Sequence, residues 1–173
     1  MDHKFAAIVV DGLGHGPLAA RAAGEALTVF GHGPFDTPAD YFDAAHSSMS
    51  TTRGAAIALA QVDLKQRLLK YVGVGNISGI IVSGGEARSQ SLISHNGIVG
   101  TAIRKLQQFD YLWQDGDLLI MHSDGLGGRW KLTDYSGLVR ADPAVIAAVL
   151  YRDAKRGRDD ATVLVSRLKA SCP

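Results

Sequence analysis

Apolar positions change texture along the chain. Phe5 to Val10 is an unbroken apolar run of six residues, the pattern of a buried strand. From Pro17 onward, Leu18, Ala22, Ala23, Ala26, Leu27 and Phe30 recur at helical spacing. Pro17 suits the first helical position, and Gly31 and Gly33 end the pattern. Thr37 before Pro38, with Asp40 in the first turn, predicts a second helix through about Ser48.

From Arg53 the spacing turns to that of strands. "GAAIALAQVDL", "RLLKYVGVGNISGIIVSGG", "ARSQSLIS", "QQFDYLWQ" and "GDLLIMHSDG" are short apolar or alternating runs separated by glycine-rich turns, which predict a meander of antiparallel strands. "DPAVIAAVLYRDA" then reads as a helix capped by Asp142 with Pro143 in its first position, and "ATVLVSRL" as a closing strand. Helices, then strands, then a helix and a strand imply an α+β fold, antiparallel sheets covered by segregated helices. With no repeat, low-complexity tract or charged linker, residues 1–173 are expected to form a single domain.

Charge and cysteine content narrow the partners. Eighteen Lys and Arg stand against 17 Asp and Glu with no long run of either sign, so no nucleic-acid footprint is visible and a small molecule or another protein is the expected partner. The one cysteine, Cys172, excludes an internal disulfide and, at the chain's end, a cysteine nucleophile. The start lacks a cationic lead, and its apolar run falls far short of a membrane span. A soluble, cytoplasmic protein without membrane association is expected.

Three acids occupy strand ends. Asp11 follows "FAAIVV", Asp124 closes "LLIMHSDG", and Asp159 with Asp160 precedes "ATVLV". If the last strand runs antiparallel to the other two, all three ends meet at one rim. Clustered carboxylates repel one another unless they take up protons or bind a cation, and all-oxygen ligation suits Mg²⁺ or Mn²⁺. Singly, each "DG" or "DD" reads as a turn. The combination, "DGLGHG" after one strand, "SDG" after another and "RDDAT" before a third, favours the metal. A nucleotide cradle is the competing reading of "GLGHG", but its glycines at 12, 14 and 16 miss the dinucleotide spacing and no P-loop lysine follows.

This ordered set resembles the SpoIIE/RsbX-type bacterial serine/threonine phosphatases, a branch of the metal-dependent PPM superfamily that includes protein phosphatase 2C. "TRGAA" (Thr52 to Ala56) and "YVGVGNI" (Tyr71 to Ile77) look like further landmarks of that family, and the resemblance covers nearly the whole chain. It implies an αββα sandwich and hydrolysis of phosphoserine or phosphothreonine on a regulatory protein, in partner-switching or stress signalling. By motif, Asp11 bridges two metal ions, the Gly12 carbonyl binds one of them, Asp124 and Asp159 complete the shells, and Asp160 supports them. Two such ions, Mn²⁺ or Mg²⁺, activate a water for in-line attack, so no protein nucleophile is needed.

The chain also departs from the family pattern. Ten residues precede Asp11, where relatives usually carry an extra strand or two with a further metal-ligating acid, and Asp2 is the one acid there. The expected explanations are a truncated start, a partner covering the gap, or weak binding of the second metal. An exposed sheet edge left by missing strands would favour self-association. The rival to an enzyme is the same sandwich serving as a binding module with an incomplete metal site.

Other residues carry simpler readings. His15 stands near the place of a proton donor, but a packing or capping role is favoured for a histidine before a glycine and a helix start. In "HSDG", Ser123 and its neighbours point to opposite faces and make no triad; His122 shares a face with Asp124 and is read as buried support. Arg53 and Arg158 could meet phosphate but default to structural roles. Asn76 reads as a turn residue tolerant of left-handed backbone, and Trp113 and Trp130 as packing.

Overall fold

The computed structural model describes residues 3–83, 88–157 and 160–168. Its elements run β1 (Lys4–Gly12), α1 (Pro17–Gly31), α2 (Pro38–Ser48), β2 (Ala55–Asp63), β3 (Leu68–Val74), β4 (Ser78–Val82), β5 (Ser89–Leu92), β6 (Ser94–His95), β7 (Gly97–Ile98), β8 (Ala102–Ile103), β9 (Phe109–Leu112), β10 (Leu118–His122), α3 (Pro143–Ala154) and β11 (Val163–Arg167). One sheet has the order β1-β2-β3, with β6 and β9 sharing the far side of β3. The other has the order β11-β10-β4-β5.

The two sheets face each other across one core and carry helices on their outer faces. Ala7, Val9, Ala58, Ala60, Leu69 and Tyr71 from the first sheet meet Ile81, Leu92, Leu119 and Met121 from the second, with Trp113 fully buried among them. The alternate residues Ile57, Leu59, Val72 and Val74 turn outward to pack on Ala22 and Ala26 of α1 and on Tyr41, Phe42 and Ala45 of α2. On the far side Leu118 and Ile120 pack on Ile146 and Leu150 of α3. This is the αββα sandwich, and covering both faces explains why the central strands read as continuous apolar runs.

Local signals formed the helices as their residues dictate. Thr37 and Asp40 make a reciprocal capping box at the start of α2, and the Asp142 side chain accepts the Ala144 N–H at 2.8 Å to cap α3. The apolar stripe of α1 is the exception. Ala19, Ala22 and Ala26 are its buried residues, whereas Leu18 and Leu27 are 49% and 50% exposed. The helix lies so close to β1 that a side chain at Gly12 would collide with the Ala19 carbonyl, and only small residues fit in the seam.

The expected meander is also corrected. All the longer pairings are antiparallel, but the chain leaves the first sheet after β3 and enters the second at β4, and β6 pairs parallel with β3. The short strands β6, β7 and β8 in "SHNGIVGTAI" carry no alternation that would have announced them.

Candidate active site

Asp11 sits near the end of β1, opposite Ala56 of β2. Asp124 sits in the turn that follows β10, and Asp160 in the segment leading into β11. The antiparallel pairing of β10 with β11 brings the exit of one to the entry of the other. Asp11, Gly12, Asp124 and Asp160 therefore line one open groove of about 1000 Å³ at the rim between the two sheets, together with Gly14, His15, Ala19, Ala23, Asn76 and Thr162. The sequence's first-named and last-named acid motifs thus meet. Asp159 lies outside the described residues, as do Asp2, Arg158 and Cys172.

Glycines and backbone bonds hold this arrangement. The Leu13 N–H donates to the Gly54 carbonyl at 2.9 Å, tying "DGLGHG" to "TRGAA". Gly54 itself has φ 79° and lies against Ile98 and Val99, and the Thr52 hydroxyl bonds the Met49 carbonyl at 2.7 Å while accepting the Gly54 N–H. Gly125 is needed because any side chain there would strike the Asp160 carbonyl. Buried Ser123 clamps the same two segments: its N–H donates to the Thr162 carbonyl at 3.1 Å and its hydroxyl accepts the Thr162 N–H at 3.0 Å.

Asn76 was read as a turn former, and the structure corrects the reason. Gly75 takes the left-handed conformation, φ 95°, while Asn76 donates from Nδ2 to Asp124 Oδ2 at 2.5 Å. Arg53 reaches over the loop, its guanidinium close to Gly14. His15 is exposed and lines the groove; the cap of α1 is Gly16, which forms no side-chain bond, so the expected packing or capping role is not what the structure shows.

His122 is not in this groove. It is buried, its Nδ1 shares a 2.8 Å bond with the Ser123 carbonyl, and its ring meets Trp130 edge-on at 5.8 Å. It lines a separate, smaller hollow with Ser78, Ser91, Ser94 and Trp130. The strand's alternation does not extend to Asp124, which lies beyond it in a turn. Burial pushes His122 below the usual imidazole range and the neighbouring Arg156 adds to the fall, against the pull of the Ser123 carbonyl. Because the folded-state value lies below the unfolded one, His122 adds stability above the unfolded value of about 6.5 that is lost as pH falls below it. Thermal melts at pH 7.5 and 5.5 should show a larger drop for the parent chain than for His122→Asn; equal drops would remove His122 as the cause.

Among the described residues no group of three His, Cys, Asp or Glu converges as a formed metal site. The carboxylates that line the groove nevertheless suit a hard dication, with no lysine or arginine among the described lining residues.

A sandwich of two largely antiparallel sheets between helical layers is the architecture of the PPM phosphatases, the class that includes protein phosphatase 2C. Within that class, the family model described as Stage II sporulation protein E (SpoIIE) matches residues 1–169, and the chain belongs to that family. It is 26% identical over 126 residues to the phosphoserine phosphatase RsbX of Bacillus subtilis (strain 168), an alignment covering 72% of this chain and 62% of RsbX. The match therefore spans less than two thirds of that relative's length. Among solved structures, a chain from work on the bacterial stressosome as a modular system adapted to control secondary messenger signaling superposes with TM-score 0.83 at 30% identity, covering 95% of this chain and 85% of that one. RsbX in complex with magnesium superposes with TM-score 0.80 at 22% identity, covering 95% and 81%. Among the described residues, no helix is long and apolar enough to cross a membrane.

Proposed function

We propose that this protein hydrolyses phosphoserine or phosphothreonine on a regulatory protein, using divalent cations, Mn²⁺ or Mg²⁺, held at the acidic groove. The observation that carries this reading is the meeting of Asp11, Gly12, Asp124 and Asp160 on one rim of a SpoIIE-family sandwich. Asp11, the Gly12 carbonyl, Asp124 and Asp159 would hold the ions. Bound there, such ions lower the pKa of water and offset phosphoryl charge.

The chain's own residues supply position. Backbone bonds at Leu13 and Ser123 fix the two acidic turns, and the small residues Ala19, Ala20 and Ala23 leave the α1 side of the groove open to a polypeptide segment. Asp160 supports the acidic turns, and exposed His15 stands at the groove where a leaving serine oxygen could take a proton. His122 supports from behind, through Ser123. The reading extends to a cytoplasmic role in partner-switching or stress signalling and, through the edge of β1 that has no partner strand among the described residues, to self-association.

Phosphate release from a phosphoserine-bearing protein should appear on adding Mn²⁺ or Mg²⁺ and cease on chelation. Metal binding without release would assign the chain to the binding-module alternative.

A further inference from the structure

Asn76 stands where the chain crosses from the first sheet to the second at the acidic rim. It follows β3 of the first sheet and precedes β4 of the second. On one side it is anchored through Gly75, which packs so tightly on Ala56 that an added Cβ would lie 2.5 Å from the Ala56 side chain. Ala56 is the cross-strand partner of Asp11. On the other side its amide donates to Asp124 Oδ2. A short relay thus links the acid of one sheet to the acid of the other: Asp11 to Ala56 by strand pairing, Ala56 to Gly75 by contact, Asn76 to Asp124 by hydrogen bond.

We infer that Asn76 is a positioning residue for Asp124, and this rests on the metal-dependent reading above. Asp124 is exposed at the start of the turn after β10, so its carboxylate would otherwise sample several rotamers. The bond to Oδ2 selects one and leaves Oδ1 as the oxygen offered to a cation. A neutral amide does this without cancelling the carboxylate charge. A lysine or arginine in its place would hold the acid equally well but compete with the cation for it. Because Asn76 does not take positive φ, its side chain rather than its backbone is what the site uses.

The test is Mn²⁺ binding to the substrate-free chain by titration calorimetry, for the parent, Asn76→Ala, Asp124→Asn and the double variant. Partners that orient a metal ligand are typically worth about 10- to 100-fold in affinity. Asn76→Ala should bind Mn²⁺ about tenfold more weakly, with the metal-free melting temperature unchanged. In the Asp124→Asn background the same substitution should change nothing further. Asn76→Ser, which keeps turn propensity but is too short to reach Asp124, should match Asn76→Ala and stands in should the alanine variant misfold. Unchanged affinity in either variant, or an equal loss with and without Asp124, would overturn the inference. Absence of Mn²⁺ binding by the parent would instead overturn the metal reading, and the inference with it.

Discussion

Asp11→Asn is expected to lower metal-stimulated phosphate release by about three orders of magnitude while leaving the fold intact. The substitution keeps shape and removes one charge from a residue that, on the proposed reading, would hold the ions. Metal-assisted stabilisation of a transferring phosphoryl group is worth several kcal/mol, and each 1.36 kcal/mol is tenfold in rate, so losing about 4 kcal/mol gives the stated factor. Initial rates at saturating Mn²⁺ and the circular dichroism of the variant check both halves. Release at the parent rate from a folded variant would show that the groove is not where the chemistry occurs.

The second large effect concerns stability. Gly12→Ala should destabilise the chain by about 3 kcal/mol, the upper part of the range for overpacking, because its new Cβ meets the Ala19 backbone rather than a side chain that could swing away. Gly24→Ala, in the same α1 helix but with nothing near its added Cβ, should stabilise by about 0.5–1 kcal/mol, since alanine costs less than glycine in a helix interior. Urea denaturation of the two variants gives opposite signs if the seam between α1 and β1 is as close as the structure has it. A mild effect at both positions would mean the helix can back away from the strand.

Much of this architecture was legible beforehand because its signals are local. The Thr37–Asp40 box and Asp142 announce helices by satisfying backbone groups within one turn, Pro17 does so by presetting the backbone of the first turn, and Asp11, Asp124 and Asp160 follow or precede apolar runs that read as strands. What remained hidden depends on distant neighbours. Nothing in "YVGVGNISGI" states that the chain changes sheets in its middle, because β3 ends in four successive buried residues, Tyr71 to Val74, which leave no alternation to show which face or sheet follows. The exposure of Leu18 and Leu27 follows from the closeness of β1, a property of the partner strand rather than of the helix. Asn76 looked like a turn residue for the same reason: its bond spans 48 positions to Asp124.

The groove's acids come from both sheets, and Asp11 and Asp124 stand 113 positions apart along the chain (124 − 11). No contiguous stretch, and neither sheet alone, contains the arrangement. Its assembly is therefore a long-range event that waits for the sandwich to close, the kind of contact that forms late when loop closure must precede it. Hydrolysis by this chain would then report complete folding in an all-or-none way, and a partly opened molecule, even one with both sheets formed, would be silent toward its substrate rather than indiscriminate.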